Sequence, residues 1–256
     1  LGHAGAVLRH DELAALREAG GAWVFCTSEP QTWSFLDAVF GELVEAFPDT
    51  AYIHVGGDEF EHGFGRCERC KATVASRGIG ALYADHMNRL NTLVQKRGRT
   101  MLFWPSHHGP TPELSEMTLK YQAQLEKDGI PTEWIYHGPA AYPTIEAYQQ
   151  AGFKDLFCCP AVESYSRVWP DHVTTFRAVQ GFYRAGRDRG CGGAYCTTWE
   201  FMHGALWENS WYGLLLAAEC SWNPAGTSRT EYTRRFADVW WGVSAPEASV
   251  TAPQPD

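Results

Sequence analysis

The sequence predicts an α/β fold built from parallel β-α-β units, the units from which a (β/α)8 barrel is made. Short apolar runs alternate with longer amphipathic segments, as strands and helices do in such units. The apolar runs are continuous, so both faces of each strand are expected to be buried. The 256 residues suit one barrel domain. Only about five strand-like runs are found, however, where a closed barrel needs eight.

The predicted elements follow from periodicity and from residues that end helices. Between residues 31 and 47, apolar side chains recur at helical spacing, and Pro48 ends the helix. Gly98, Gly129 and Gly152 mark the ends of three further helices. The predicted strands are residues 51–55, 100–104, 132–136, 156–162 and 194–199. The predicted helices are residues 31–47, 85–98, 114–127, 144–151, 174–187 and 209–220, followed by an amphipathic segment at 231–241.

Composition excludes several classes of partner. The net charge is −9 and no basic stripe interrupts it, so we expect neither a nucleic-acid nor a membrane partner. The longest strongly apolar stretch, residues 214–218, is too short to span a bilayer. Several of the eight cysteines lie in apolar runs, which favours reduced thiols and a cytoplasmic setting. A homo-oligomer is left open.

The two ends of the sequence bear on domain organisation. The N-terminus has neither a starting Met nor the pattern of a signal peptide, so we expect a fragment or a processed product. Residues 244–256 are rich in Pro, Ala and Ser, which predicts a solvated tail or linker. Residues 1–243 are therefore expected to form one partial barrel domain.

Acidic, imidazole and aromatic side chains follow each predicted strand. The carboxyl ends of parallel strands share one face, where the following loops build a site. Polar loops are common, but these loops contain Trp, His and Glu rather than Lys, Ser and Asn, which favours a site. The sharpest feature is Asp58-Glu59. Neighbouring strand residues point to opposite faces, and Gly56-Gly57 permits the bend that could turn both acids to one face.

The run Tyr52-Ile53-His54-Val55-Gly56-Gly57-Asp58-Glu59 resembles the H-x-G-G-D-E signature of glycoside hydrolase family 20, the β-N-acetylhexosaminidases. The preceding Phe-Pro-Asp and the later Thr-Thr-Trp-Glu at residues 197–200 are similar to the family as well. The resemblance covers about residues 1–222 and implies that strands 4–8 of a TIM barrel are present. Strands 1–3, including the first-strand Arg that binds sugar in the family, would be missing.

By this resemblance, the chain is a retaining exo-β-N-acetylhexosaminidase that removes terminal GlcNAc or GalNAc from glycans. Glu59 would be the general acid and base. Asp58 would orient and stabilise the substrate's own 2-acetamido group, which attacks the anomeric carbon and forms an oxazolinium intermediate. This chemistry needs neither a metal nor an organic cofactor.

The resemblance also implies a set of substrate-binding residues. Trp side chains would surround the acetamido methyl group, Tyr165 would bind the acetamido oxygen, and Glu200 would bind sugar hydroxyls. His54 would hold the carboxylates in place. Core packing explains Trp104 and Trp134 equally well, and Tyr165 could be a surface loop residue. The full set is His3, His54, Trp104, Trp134, Tyr165, Trp199 and Glu200.

Two alternatives remain open. The missing first-strand Arg would fit a non-catalytic carbohydrate-binding remnant of such a barrel. A metal-dependent hydrolase could instead use Cys67-x-x-Cys70 with His107 and His108. This Cys pair has the spacing of half a zinc site, but the sequence offers no second Cys-x-x-Cys or His-x-x-x-His partner. We therefore predict no metal site.

Overall fold

The computed structural model describes residues 3–19, 21–61, 63–107, 111–112, 114–199 and 205–243. The chain forms two compact units, one made of Leu1–Glu133 with Pro143–Leu156 and the other of Trp134–Tyr142 with Phe157–Asp256. In these described ranges, five strands separated by helices place the chain in the predicted α/β class. Within the described ranges, no helix combines the length and the apolar character needed to cross a membrane.

The first unit is organised around parallel strands β1 (Tyr52–His54), β2 (Thr100–Phe103) and β3 (Ile130–Trp134), of which only the last residue, Trp134, belongs to the second unit. Ile53 pairs with Met101 across β1 and β2, and Leu102 pairs with Ile130 across β2 and β3. These four side chains are all buried, as the continuous apolar runs predicted. β1 and β2 lie within the predicted ranges, whereas β3 begins and ends two residues before the predicted strand at 132–136.

Local sequence signals account for the start of the second helix of the first unit. A Pro occupies the first position of α2, and the Glu29 carboxylate accepts a hydrogen bond from the Gln31 N–H, which caps the helix. The fourth helix contributes much of the core, with Tyr83, Leu90 and Val94 buried. The helices are α1 (Gly5–Leu8), α2 (Pro30–Ala46), α3 (Glu68–Arg77), α4 (Ile79–Gln95), α5 (Met117–Lys120) and α6 (Pro143–Gln150), with 3-10 turns at Asp11–Leu16 and Gln122–Gln124.

The predicted helix at residues 114–127 is wrong, because only α5 and a 3-10 turn form there. The ring of Tyr121 packs against Gly80 of α4 so closely that a Cβ on Gly80 would lie 2.2 Å from it. The Asn88 side chain donates to the Gln124 carbonyl and accepts from the Glu126 N–H. Contacts with α4 therefore replace the backbone hydrogen bonds of a continuous helix.

The second unit contains parallel strands β4 (Phe157–Cys159) and β5 (Gly193–Ala194). A parallel bridge between Ala161 and Thr197 continues their pairing toward the carboxyl ends. The core is formed by buried side chains of two long helices, including Val179 and Leu216. The helices are α7 (His172–Asp188), α8 (Trp211–Trp222) and α9 (Arg229–Phe236), with a 3-10 turn at Trp207–Ser210 and a π-helical turn at Ala237–Trp241. The predicted tail, residues 244–256, lies outside the described residues.

Candidate active site

A double-glycine bend after β1 positions the two candidate acids. Gly56 and Gly57 have φ angles of +70° and +122°, and the Trp104 N–H donates to the Gly56 carbonyl oxygen (2.9 Å). A Cβ on Gly57 would lie 2.8 Å from the Trp104 carbonyl oxygen, so glycine is required there. Glu59 itself adopts a left-handed φ of +46°. The chain therefore leaves the strand direction before it reaches Asp58, as the sequence predicted.

His3 lies against both carboxylates. Its Nε2 is 3.4 Å from Asp58 Oδ2 and 3.2 Å from Glu59 Oε2. Hydrogen bonds to Asp58 and then to Glu59 raise the pKa of His3 to about 9. His3 is therefore a cation at neutral pH, and it places one positive charge between the two acids. The Glu59 side chain is 57% exposed, whereas that of Asp58 is 19% exposed, so Glu59 is the more accessible acid.

Trp23 is a residue of this site that the sequence did not reveal. Its indole Nε1 donates to the Glu59 carbonyl oxygen (2.8 Å), and its ring centroid lies 4.6 Å from that of His3. Trp23 follows no predicted strand, and its contact with Glu59 spans 36 positions of sequence. No local pattern could have indicated it.

His54 stabilises the Gly56-Gly57 bend through a hydrogen bond from the backbone of the bend. The Gly56 N–H donates to His54 Nδ1 (3.1 Å), so the neutral ring carries its proton on Nε2, which donates to Thr132 Oγ1 (3.0 Å). The Thr132 hydroxyl in turn donates to the Phe103 carbonyl oxygen (2.9 Å). The residue is exposed to solvent overall, and the protein packed around its ring lowers the pKa of His54 to about 4. Its centroid lies 4.6 Å from a Trp104 ring.

Two buried acids also lie near the ends of these strands, and neither is among the site residues predicted from the sequence. Glu61 is 2% exposed and accepts a hydrogen bond from the Ser106 hydroxyl, while burial raises its pKa. Glu133 is fully buried within β3, with Oε2 3.2 Å from His107 Nε2. A carboxyl group inside a predicted apolar strand was the available signal for Glu133, since buried acids are almost always paired.

The first unit thus brings His3, His54 and Trp104 together with Asp58 and Glu59. The remaining expected residues belong to the second unit. Trp134 and Trp199 are partly buried and Tyr165 is 56% exposed. The Trp199 N–H donates to the Ser164 hydroxyl (3.3 Å), so the loop after β4 lies beside the end of the β5 region. Glu200 lies outside the described residues.

The side chains that could hold a metal lie elsewhere in the first unit. The ligand atoms of Glu18, Cys26, Cys67 and Cys70 are all within 4.8 Å of one another. His107 contacts Glu133 instead, and His108 lies outside the described residues. Among the described residues, no disulfide joins Cys26, Cys67, Cys70, Cys196 or Cys220, and their reduced state stays a prediction.

The sequence and the fold of the chain match those of known proteins. Residues 10–158 match the model of the glycosyl hydrolase family 20 catalytic domain. The chain is similar in structure to a β-N-acetylhexosaminidase from Bacteroides fragilis, with a TM-score of 0.69 and 17% identity over 94% of this chain and 51% of that one. It is also similar to a chitobiase from Flavobacterium johnsoniae, with a TM-score of 0.61 and 18% identity over 94% and 37% of the two chains.

A third similar structure is a β-N-acetylhexosaminidase from Streptomyces coelicolor, with a TM-score of 0.55 and 17% identity over 95% of this chain and 52% of that one. The chain spans about half the length of these proteins or less. The shared fold confirms the expected incomplete (β/α)8 barrel type. The family match extends over more than half of the sequence and includes the glycine bend and both acids. The chain belongs to glycosyl hydrolase family 20.

Proposed function

We propose that this chain carries the catalytic acids of a retaining exo-β-N-acetylhexosaminidase acting on terminal GlcNAc or GalNAc. The observation that carries the proposal is the Asp58-Glu59 pair, turned out of β1 by two glycines in a family 20 chain. The names of the similar structures, β-N-acetylhexosaminidases among them, support the substrate class.

Glu59 acts as the proton donor and acceptor. Its side chain is the more exposed of the two acids, so it can reach the glycosidic oxygen of a bound sugar. In the first step Glu59 transfers its proton to that oxygen, and the bond to the anomeric carbon breaks as the leaving group departs as an alcohol. In the second step the Glu59 carboxylate takes a proton from the attacking water, which restores the acid.

Asp58 stabilises the intermediate. The acetamido carbonyl oxygen of the substrate attacks the anomeric carbon and forms a cyclic oxazolinium ion, so the amide nitrogen gains positive charge. An ionised Asp58 accepts a hydrogen bond from that N–H and stabilises the charge. Two displacements at one carbon return the original configuration, so the product retains it. Trp23 fixes the Glu59 backbone, and His3 supplies a counter-charge to the ionised Asp58.

The test is hydrolysis of 4-nitrophenyl N-acetyl-β-glucosaminide and its galactosaminide by the chain and its variants. Glu59→Gln should lower kcat by about a hundredfold to ten-thousandfold, the usual contribution of general acid–base catalysis. A matched control is Glu68→Gln, which changes an acid on α3 that is 89% exposed. The anomeric proton signal of the first product should be that of the β-anomer. Unchanged activity in Glu59→Gln, or an α-anomer formed first, would refute the mechanism.

A second measurement separates catalysis from binding. Calorimetric titration with a thiazoline analogue of the intermediate should show binding that weakens in Asp58→Asn, because the variant loses the charge that stabilises the cyclic cation. Binding of N-acetylglucosamine without any turnover would instead identify the chain as the carbohydrate-binding remnant considered from the sequence. Absence of both binding and turnover would exclude both functions.

A further inference from the structure

A cluster of three thiols and one carboxylate lies in the first unit, apart from the acids. Cys26 and Cys70 are fully buried and Glu18 is 3% exposed, while Cys67 is partly buried. Cys26 Sγ lies 3.4 Å from Cys67 Sγ and 3.7 Å from Cys70 Sγ. Cys70 Sγ lies 3.2 Å from Glu18 Oε2. The four side chains come from two separate stretches of sequence, residues 18–26 and 67–70.

These distances match the edges of a metal-centred tetrahedron. Zn–S bonds of about 2.3 Å place two sulfur ligands about 3.8 Å apart in tetrahedral geometry. A disulfide bond is about 2.05 Å long, so the sulfur atoms are separated as ligands are and not as bonded partners are. Thiolates favour zinc, whereas calcium and magnesium favour sites made of oxygen ligands. Four protein ligands with little exposure describe a closed, structural site.

Backbone N–H groups donate hydrogen bonds at the Cys67-x-x-Cys70 end of the cluster. Cys67 is the N-cap of α3, and its sulfur accepts a hydrogen bond from the Cys70 N–H (3.4 Å). Anionic groups are stabilised at a helix N-terminus by the free N–H groups. Glu18 accepts a hydrogen bond from the Cys67 N–H, which orients the carboxylate toward the sulfur atoms.

From this cluster we infer that Glu18, Cys26, Cys67 and Cys70 form a structural zinc site. The site has a defined position relative to the candidate active site. Trp23, which donates to the Glu59 carbonyl, lies in the segment between ligands Glu18 and Cys26. The ion therefore links the segment that carries Glu18 and Cys26 to the start of α3. The loop that carries the two acids lies between these two groups of ligands in the sequence.

The first measurement is the metal content of the full chain, purified without chelators. We expect one zinc per chain, and less than about a tenth of that in Cys70→Ser, because structural sites need their complete set of ligands. The matched control is Cys220→Ser, which removes another fully buried thiol in the second unit and should keep its zinc. Zinc retained by Cys70→Ser, or lost equally from both variants, would overturn the assignment.

The second measurement does not depend on a variant that folds. Replacing zinc by Co²⁺ in the wild-type chain should produce thiolate-to-cobalt charge-transfer absorption and the visible bands of tetrahedral cobalt. Glu18→Gln keeps all three thiols and should lower zinc affinity at least by the roughly tenfold to hundredfold that loss of a supporting contact costs. Absence of both zinc and these bands, or a Cys26–Cys67 disulfide in the native chain, would refute the site. None of these readouts depends on hydrolase activity.

Discussion

Replacing Gly57 with alanine tests the bend that positions the two acids. The new Cβ would lie 2.8 Å from the Trp104 carbonyl oxygen, a backbone atom that cannot swing away as a side chain can. The residue would also have to keep φ at +122°, which L-residues rarely adopt. Strain of this kind costs about 1–3 kcal/mol, and overpacking costs about 1–3 kcal/mol more. We expect Gly57→Ala to lower the free energy of unfolding by about 2–5 kcal/mol, because a small gain from the less flexible unfolded chain offsets part of the total.

Gly56→Ala is the matched control for this prediction. Gly56 also has a positive φ, +70°, but a Cβ there would meet no atom within 4 Å. It should therefore cost only about 1–2 kcal/mol, the penalty of the left-handed conformation. Both variants are compared by urea unfolding followed by circular dichroism, with hydrolysis of the chromogenic substrate in parallel. If Gly57→Ala is no less stable than Gly56→Ala, the close approach of Trp104 does not constrain the bend.

Three further predictions follow from individual contacts. Proton NMR should show His3 titrating near pH 9, and Asp58→Asn should lower that pKa. Because the folded pKa exceeds the unfolded value of 6.5, the stabilising effect of protonated His3 is complete below about pH 6.5 and is lost as pH rises through about 9. An unshifted His3 pKa would contradict its contact with the acids. Thr132→Val should cost about 0.5–1.5 kcal/mol in urea unfolding, the usual net contribution of one hydrogen bond, since it removes the acceptor of the His54 Nε2–H, and a neutral effect would show that this hydrogen bond contributes no stability. Leu216→Ala, at a fully buried position between α7 and α8, should cost about 2–5 kcal/mol by thermal or urea unfolding, and a loss below 1 kcal/mol would mean that the core there is loosely packed.

The pH dependence of His54 has the opposite sign to that of His3. Its folded pKa of about 4 lies below the unfolded value of 6.5, so the unfolded chain binds a proton first as pH falls. The contribution of the neutral ring to stability is therefore present above about pH 6.5 and is lost as pH falls toward 4. This loss removes the acceptor for the Gly56 N–H and weakens the bend from its inner side.

The zinc assignment and the proposed mechanism concern different parts of the first unit. The proposed hydrolase uses Asp58 and Glu59, whereas the ligands lie in residues 18–26 and 67–70. A chain that binds zinc without hydrolysing the sugar would keep the metal site and refute the function. A chain that hydrolyses the sugar without binding zinc would support the function and refute the metal site.

The sequence by itself determined the α/β class, the approximate positions of the strands and the presence of the acid pair beside two glycines. These features are local, because periodicity, helix-ending residues and a short motif are all read within a few neighbouring positions. The irregular segment after β2 could not be predicted in this way, since Asn88 and Gly80 of α4 decide its backbone from outside the segment.

Only the tertiary structure showed that Trp23 joins the acids and that His3, expected from the family resemblance, contacts both of them. His3 and Trp23 reach Glu59 across more than thirty positions of sequence, and Cys26 meets Cys67 across 41. None of these three contacts has a periodic or spacing signal in the sequence, because each depends on how the folded N-terminal segment packs against the residues after β1. For this reason Cys67-x-x-Cys70 looked like half of a metal site in sequence, and its partners became visible only in three dimensions.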